Sequence, residues 1–191
     1  MSLIWPNLEI CVIQTGGTID KDYPKEIGGY AFEFGFEPAS ERILHQARCS
    51  PSLQITHRTV CTKDSQDLID EDIDAIITDC ETSSSNHIVI TTGTDNIIST
   101  ARALAQYISL ARKTIVLTGA FRPEVFRASD ASFNLGLAFG AVQSKPPGIY
   151  VAICGAVFDW DKVERRSAEK GGTFVAKTPE IQSSCIKMKF L

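Results

Sequence analysis

Three short glycine-containing segments of this sequence carry side chains that could do chemistry, and each segment follows an apolar run. They are Thr15-Gly-Gly-Thr18, Thr91-Thr-Gly-Thr-Asp95 and Thr118-Gly-Ala-Phe-Arg122. Glycine lets the backbone turn sharply and approach a ligand closely. A hydroxyl such as that of Thr18 can then act as a nucleophile or a hydrogen-bond donor, or it can simply cap the turn. Neither G-x-G-x-x-G nor the Walker spacing is present, so the first segment is not a phosphate loop.

Thr94, Asp95 and Lys113 together contain the parts of a hydroxyl nucleophile activated by a base. A threonine hydroxyl is a poor nucleophile until a base removes its proton. A lysine whose pKa is lowered by burial can be that base, and an aspartate can orient it. Taken singly, each residue also has a plainer interpretation. Thr94 and Asp95 could cap the helix that follows them, and Lys113 could be a solvated charge between a helix and a strand.

Short apolar runs, typical of strands, alternate along the chain with patterns typical of helices. These strands and helices must position the three glycine-containing segments. Strands alternating with helices favour a three-layer α/β fold, in which a parallel sheet has helices on both faces. Ligands of such sheets bind beyond the carboxyl ends of the strands, where the glycine segments fall. Residues 20–37 lack any period and lie next to Thr18, so we predict that they form a mobile lid. The predicted strands are 8–14, 53–60, 87–91, 114–118 and 149–154, and the predicted helices are 38–47, 70–77, 97–108 and 129–142.

With these segments, the sequence resembles the bacterial-type L-asparaginase family. The resemblance rests on five motifs in the family's order, and it extends to about Val157. Thr15-Gly-Gly-Thr-Ile19 is similar to the signature T-G-G-T-I, and Val89-Ile-Thr-Thr-Gly-Thr-Asp95 is similar to I-T-H-G-T-D-T. The other three motifs are Ser65-Gln-Asp67, Lys113-Thr-Ile-Val-Leu-Thr-Gly-Ala-Phe-Arg-Pro123 and Ser129-Asp-Ala-Ser-Phe-Asn-Leu135.

This resemblance implies hydrolysis of a small side-chain amide, such as that of L-asparagine, to a carboxylate and ammonia. It implies that Thr18 is the primary nucleophile on the lid and that Thr94, Asp95 and Lys113 form a second catalytic set. Ser65 and Asp95 would hold the α-carboxylate and α-amino groups of the substrate. Within the same motifs, substrate binding would also involve Gln66, Gly17 and Gly93.

The family's lid tyrosine should fall within residues 20–37, where Tyr23 and Tyr30 are both candidates. We favour Tyr23 because it is nearer to Thr18. Strand geometry alone would place Lys113, which begins its strand, at the edge of the sheet opposite Thr94. The resemblance instead implies that the two meet, with the ammonium within roughly 2.6–3.2 Å of Thr94 or Asp95.

The chain also departs from the family, since Thr92 stands where the usual motif has His and Asn96 where it has Thr. Family members are longer and have a second domain. We expect an asparaginase N-terminal-like α/β domain over residues 1–158, followed by a lightly ordered C-terminal tail, 159–191, without a second domain. Without that domain, part of the surface that is buried in family members would be exposed. We therefore predict a homo-oligomer, most simply a two-fold dimer.

Composition excludes several other classes of protein. Hydrophobic residues make up 43% of the 191 residues, which suffices for one core, and the net charge of −4 comes without a basic stripe, so we expect no nucleic-acid partner. No apolar run is long enough for a membrane span. The six cysteines form no C-x-x-C pair, which favours free thiols and a cytoplasmic location. The three histidines share no ligand spacing, so we expect neither a metal nor another cofactor.

Three functional hypotheses follow. The first is an amidohydrolase acting on a small-molecule amide. The second is a binding module that keeps the pocket without turnover. The third is a nucleotide-binding domain, suggested only by the glycine turn. The presence of Thr18, Thr94, Asp95 and Lys113 favours the first hypothesis over the second, and the missing phosphate-loop spacing counts against the third.

Overall fold

The computed structural model describes residues 8–27, 29–167 and 172–178, and it centres on a six-stranded sheet. The strands of this sheet are β1 (Leu8–Gly16), β4 (Leu53–Lys63), β5 (His87–Thr91), β6 (Thr114–Thr118), β7 (Gly148–Ile153) and β8 (Ala156–Asp159). Their spatial order is β4-β1-β5-β6-β7-β8. All neighbours run parallel except β7 and β8, which are antiparallel.

Helices cover both faces of the sheet, as the alternating pattern predicted. They are α1 (Ala39–Ala47), α2 (Asp70–Thr82), α3 (Ile97–Leu104) and α4 (Ala131–Ser144). One hydrophobic core lies between the sheet and α2 with α3, and a second lies between the sheet and α1 with α4. Successive residues of a strand point to opposite faces. In β5, for example, Ile88 and Ile90 enter the first core and Val89 enters the second. This explains why the central strands are continuous apolar runs, and the predicted fold class is confirmed.

Some element boundaries differ from the prediction. Strand β4 continues to Lys63, and α2 continues to Thr82. Helix α3 ends at Leu104, one turn before the predicted apolar stripe ends at Ile108, whose side chain is exposed. Residues 108–110 form a separate 3-10 turn. None of the helices in the described ranges has the length and apolarity needed to cross a bilayer.

The segment predicted to be one long loop, residues 20–37, contains a short two-stranded ladder. Strand β2 (Lys21–Asp22) pairs antiparallel with β3 (Glu33–Phe34). The two strands are too short to show an alternating pattern in the sequence. Whether this segment moves as a lid stays a prediction.

The prediction of a lightly ordered tail from residue 159 is wrong for the part that the structure describes. Strand β8 joins the main sheet, and a 3-10 turn follows at residues 160–162. Strands β9 (Val163–Arg165) and β10 (Phe174–Ala176) then pair antiparallel. Val163 and Phe174 are buried in the first core. These two apolar side chains fix a charged segment to the domain, although no sustained period marks it in the sequence. Residues 179–191 of the predicted tail lie outside the described residues.

Candidate active site

Three glycine-containing or polar turns meet at the carboxyl edge of the sheet. Gly17 has a positive φ of 86°, and a Cβ atom there would lie 2.3 Å from the backbone nitrogen of Gly93. A Cβ atom at Gly93 would in turn lie 2.6 Å from the Ser65 hydroxyl oxygen. Only glycine allows this close approach. The glycines therefore bring the chain after β1, the chain after β5 and the Ser65 turn together.

A cavity of about 300 Å³ opens where these turns meet. It holds six of the predicted site residues, and Gly17 packs directly behind it against Gly93. The cavity is therefore polar and carries both threonine hydroxyls. Its lining residues are Thr18, Lys21, Asp64, Ser65, Gln66, Asp67, Gly93, Thr94 and Asp95.

A larger groove of about 580 Å³ lies between α1 and α4, but its chemistry is different. It is lined mainly by aliphatic side chains such as Leu44, Leu53 and Leu135, and none of the described residues along it is charged. The groove offers no group that could activate a nucleophile, so we place the candidate active site at the carboxyl edge.

The turn that carries Thr18 is held in place by its own neighbours. Thr18 begins a 3-10 turn that ends at Asp20. The amide of Ala39 at the start of α1 donates to Asp20 Oδ1 at 2.8 Å. Glu124 donates its amide to the carbonyl of Ile19 at 3.1 Å. These two contacts anchor the residues that follow Thr18 and so fix the turn beside the cavity.

Asp20 is almost completely buried, with 2% of its surface exposed. Its Oδ2 atom has no hydrogen-bond partner among the described residues. Burial raises the pKa of Asp20 to about 6, although the hydrogen bond from Ala39 and the nearby Gln14 side chain oppose the rise. The salt bridge between Arg42 and Glu124 adds smaller, opposing effects. Near neutral pH the structure therefore carries a buried carboxylate beneath Thr18.

Asp95 is held from two sides at the rim of the cavity. Gln66 donates its side-chain amide to one carboxylate oxygen, and Arg165 donates its guanidinium to the other. The hydrogen bond from Arg165 is the main reason that the pKa of Asp95 lies below its ordinary value. Gln66 lowers this pKa further, and partial burial opposes both effects. Asp95 is therefore an ionised acceptor facing the cavity.

Asn96 ties the Ser65 turn to the segment that carries Thr94 and Asp95. Its side-chain amide donates to the Ser65 carbonyl at 2.6 Å, and its backbone amide donates to the Ser65 hydroxyl at 3.3 Å. The residue that departs from the family motif thus fixes the spacing between Ser65 and Thr94. Thr94 lines the cavity and is itself 7% exposed.

Lys113 does not belong to this cluster, which corrects the predicted set with Thr94 and Asp95. Its ammonium donates to the carbonyls of Ser83 and Ser85, at 2.8 and 2.9 Å. Both partners lie near the amino ends of the strands. Lys113 precedes β6, whose five residues span roughly 13 Å and separate it from the carboxyl edge. The strand-geometry argument was right on this point, and the contact implied by the family resemblance is not formed.

We expect Lys113→Met to destabilise the fold without a direct effect on the site. The change leaves two buried carbonyls without a donor, so the free energy of unfolding should fall by roughly 2–4 kcal/mol. Urea denaturation measures this fall. Arg112→Met, at an exposed neighbouring position, serves as control and should change stability by less than about 0.5 kcal/mol. A stable but inactive Lys113→Met protein would contradict this structural role.

Arg165 is the residue of the site that sequence reasoning missed. It comes from β9, in the segment interpreted as tail, and no motif marks it. The available signal was indirect: Val163 and Phe174 are buried apolar residues of two short strands, with a charged segment of sequence between them.

The two candidate lid tyrosines lie in different surroundings. Tyr23 stacks on Phe126 with ring centroids 5.7 Å apart and meets Phe32 edge-on at 6.0 Å. Tyr30 is fully exposed. Neither ring lines the cavity, so the catalytic role of Tyr23 stays a prediction. In the part of the chain that the structure covers, no three His, Cys, Asp or Glu side chains are grouped to hold a metal ion.

Comparison with known proteins agrees with this architecture. The family model for asparaginase, N-terminal, matches residues 9–188, which extends well beyond the range suggested by the motifs. The thermostable L-asparaginase from Thermococcus kodakarensis superposes with a TM-score of 0.76 and 28% identity, over 88% of this chain and 51% of that one. No curated protein sequence matches the chain significantly.

Two further solved structures are similar in fold. The probable cytoplasmic L-asparaginase from Campylobacter jejuni has a TM-score of 0.73 and 23% identity, over 88% of this chain and 53% of that one. L-asparaginase I from Vibrio cholerae has a TM-score of 0.74 and 21% identity, with 88% and 51% covered. The chain thus spans about half the length of the solved structures it matches. With its sheet order, its glycine turns and the family match over most of its length, the chain belongs to the asparaginase family, whose N-terminal domain it matches.

Proposed function

We propose that this chain is an amidohydrolase that converts a small side-chain amide to a carboxylate and ammonia, with L-asparagine as the first substrate to test. The observation that carries the proposal is the cavity at the carboxyl edge. It brings two threonine hydroxyls, Thr18 and Thr94, next to Ser65 and the ionised Asp95. Membership of the asparaginase family and the 28% identical L-asparaginase structure support the same reaction class.

The reaction we propose has two covalent steps. The Thr18 oxygen adds to the amide carbon, the carbon–nitrogen bond breaks, and ammonia leaves with the hydroxyl proton. Water then attacks the resulting threonine ester, releasing the carboxylate product and restoring the hydroxyl. Each turnover consumes one amide and one water molecule and yields one ammonia.

Asp95 and Ser65 would hold the ends of the substrate that do not react. An ionised carboxylate binds an ammonium group strongly, so Asp95 suits the α-amino group. The Ser65 hydroxyl can donate to the α-carboxylate. Fixing both ends directs the side-chain amide at Thr18. This orientation lowers the activation barrier because the entropy of alignment is lost on binding and not in the chemical step. Substrates without a free α-amino group should therefore react poorly.

Ammonia release from a panel of amides tests this proposal. We expect release from asparagine, less from glutamine, and little from N-acetylasparagine, which lacks the ammonium group that Asp95 would bind. A coupled glutamate dehydrogenase assay on the purified chain detects the ammonia. Equal rates for asparagine and N-acetylasparagine would contradict the assigned role of Asp95. Absence of ammonia from every amide would overturn the proposed function.

A further inference from the structure

Two short 3-10 turns line the candidate active site: the Thr18 turn (Thr18–Asp20) and the Ser65 turn (Ser65–Asp67). The Thr18 turn follows β1 and the Ser65 turn follows β4. The separation of the two turns is therefore set by contacts between distant parts of the chain. This separation matters for the proposed reaction, because it decides how far a substrate bound at Ser65 lies from the Thr18 oxygen.

Backbone contacts join the two turns where the chain leaves the sheet. The Gly17 amide donates to the Lys63 carbonyl at 2.8 Å. A Cβ atom at Gly16 would lie 2.5 Å from the Lys63 backbone nitrogen, so the two chains touch at this point. The Lys63 ammonium in turn binds Asp72, near the start of α2, at 2.7 Å. One end of each turn is thus tied to the sheet, and the Ser65 side is also tied to α2.

A side-chain contact joins the same two turns at a second point. Lys21 directly follows the Thr18 turn, and Asp64 directly precedes the Ser65 turn. The Lys21 ammonium donates to Asp64 Oδ2 at 2.7 Å, and both residues line the cavity. A hydrogen bond between two charged groups is stronger than one between neutral groups. The Lys21–Asp64 pair therefore bridges the two turns at the edge of the cavity.

The exposure of this pair indicates what it can contribute. The Lys21 side chain is 23% exposed and the Asp64 side chain 41%. Ion pairs that reach water in this way add little to the stability of a fold. The rate of a reaction is far more sensitive to position, since a displacement of about 1 Å between reacting groups can cost about 10²-fold. A pair with a small effect on stability can thus have a large effect on rate.

We propose that Lys21 and Asp64 form a positioning clamp, which holds the Thr18 turn at the distance from the Ser65 turn that amide hydrolysis requires. This inference rests on the proposed function. Neither side chain takes part in the covalent steps. The clamp also keeps the Asp64 carboxylate occupied, so that it does not compete with Asp95 for the ammonium group of a substrate.

The double variant Lys21→Met/Asp64→Asn removes the clamp without leaving an unpaired charge in the cavity. We expect its kcat for asparagine to fall about tenfold or more, with KM within about threefold of the wild type. Each single substitution should cause most of this loss, because either one breaks the pair. Lys21→Arg keeps a cation that can donate to Asp64, so it should retain at least about a third of the wild-type kcat.

A second ion pair in the same segment provides the matched control. Lys25 and Glu33 are 3.9 Å apart and do not bridge the two turns. Lys25→Met/Glu33→Gln should therefore leave kcat within about twofold of the wild type. Both pairs are partly exposed, so we expect the melting temperature of every variant to stay within about 4 °C of the wild type.

Hydrogen exchange measures the clamp without turnover. The amides of Gly17 and Asp20 are hydrogen-bonded in the folded chain. Mass spectrometry of the peptide that covers residues 17–22 should show exchange about fivefold faster or more in Lys21→Met/Asp64→Asn. Exchange in Lys21→Arg and in the Lys25→Met/Glu33→Gln control should match that of the wild type.

Several results would overturn the inference. These are unchanged exchange in Lys21→Met/Asp64→Asn, a kcat in that variant above about a third of the wild-type value, and losses that multiply when the two single substitutions are combined. An equal loss of kcat in Lys21→Arg or in the control would overturn it as well. If the wild type releases no ammonia but exchange rises only in the variants that break the pair, the proposed function fails while the clamp stands.

Discussion

Replacing Thr18 with valine should lower kcat for asparagine hydrolysis by about 10³-fold or more, the order of magnitude seen when a covalent nucleophile is removed. Valine has nearly the shape of threonine, so only the hydroxyl is lost. The turn around residue 18 is held by the Ala39 amide, which donates to the Asp20 carboxylate, and by the Glu124 amide, which donates to the Ile19 carbonyl. These contacts do not involve the Thr18 side chain and should survive the change.

Thr94→Val is the matched comparison for this loss, because both hydroxyls line the same cavity. Thr94 lines the cavity without being the proposed nucleophile, so loss of its hydroxyl should lower kcat by only about tenfold. Steady-state ammonia release gives both numbers, and aspartate binding shows that each pocket is intact. A Thr18→Val protein that keeps more than a tenth of wild-type activity would contradict the role of Thr18, as would a larger loss in Thr94→Val.

Replacing Asp20 with asparagine should stabilise the protein at alkaline pH and leave its stability unchanged in acid. The pKa of Asp20 is about 6 in the folded state against 3.8 for an ordinary aspartate, because the carboxyl is buried. A raised pKa means that the folded state binds the proton more tightly than the unfolded state. The stabilising contribution is thus fully present below about pH 3.8 and is lost as the pH rises through 6.

The size of this effect follows from the shift in pKa. A difference of about two pKa units between the folded and unfolded states corresponds to roughly 3 kcal/mol. The free energy of unfolding of the wild type should fall by this amount between pH 4 and pH 8 because of Asp20. The asparagine side chain of the variant stays neutral and can still accept a hydrogen bond from the Ala39 amide. The free energy of unfolding of Asp20→Asn should therefore not fall by this amount. At pH 8 the variant should be up to roughly 3 kcal/mol more stable than the wild type.

Urea denaturation at about pH 3.5 and pH 8 measures both proteins. Asp161→Asn, at an exposed position, should leave the pH dependence as it is in the wild type and serves as control. An Asp20→Asn variant less stable than the wild type at pH 8 would show that the buried carboxylate contributes favourably in its charged form.

Much of the site could be predicted because its segments follow strands directly. The glycines at positions 17 and 93 mark turns where backbones approach closely, and such turns follow buried strands in a parallel sheet. Thr18, Thr94 and Asp95 then meet at one edge for topological reasons. The same rule placed Lys113 at the opposite edge, against the contact that the resemblance implied.

Arg165 could not be predicted, and the reason is physical. It lies 70 residues from Asp95 in the chain, on a three-residue strand whose partner strand is equally short. Strands this short show no alternation, and their stability comes from the burial of Val163 and Phe174 in a core formed by distant residues. Local sequence therefore carries little information about where this guanidinium lies.

The most direct test of the account is a single-turnover experiment with asparagine labelled with ¹⁵N in its side chain and an equimolar amount of the chain. Nitrogen NMR follows the label. With the wild type we predict that the amide signal decays and an ammonium signal appears, with one aspartate formed for each ammonium released. With Thr18→Val the amide signal should persist. Label that stays in the amide in the presence of folded wild-type protein, or that is released equally fast by Thr18→Val, would contradict hydrolysis at this cavity through Thr18.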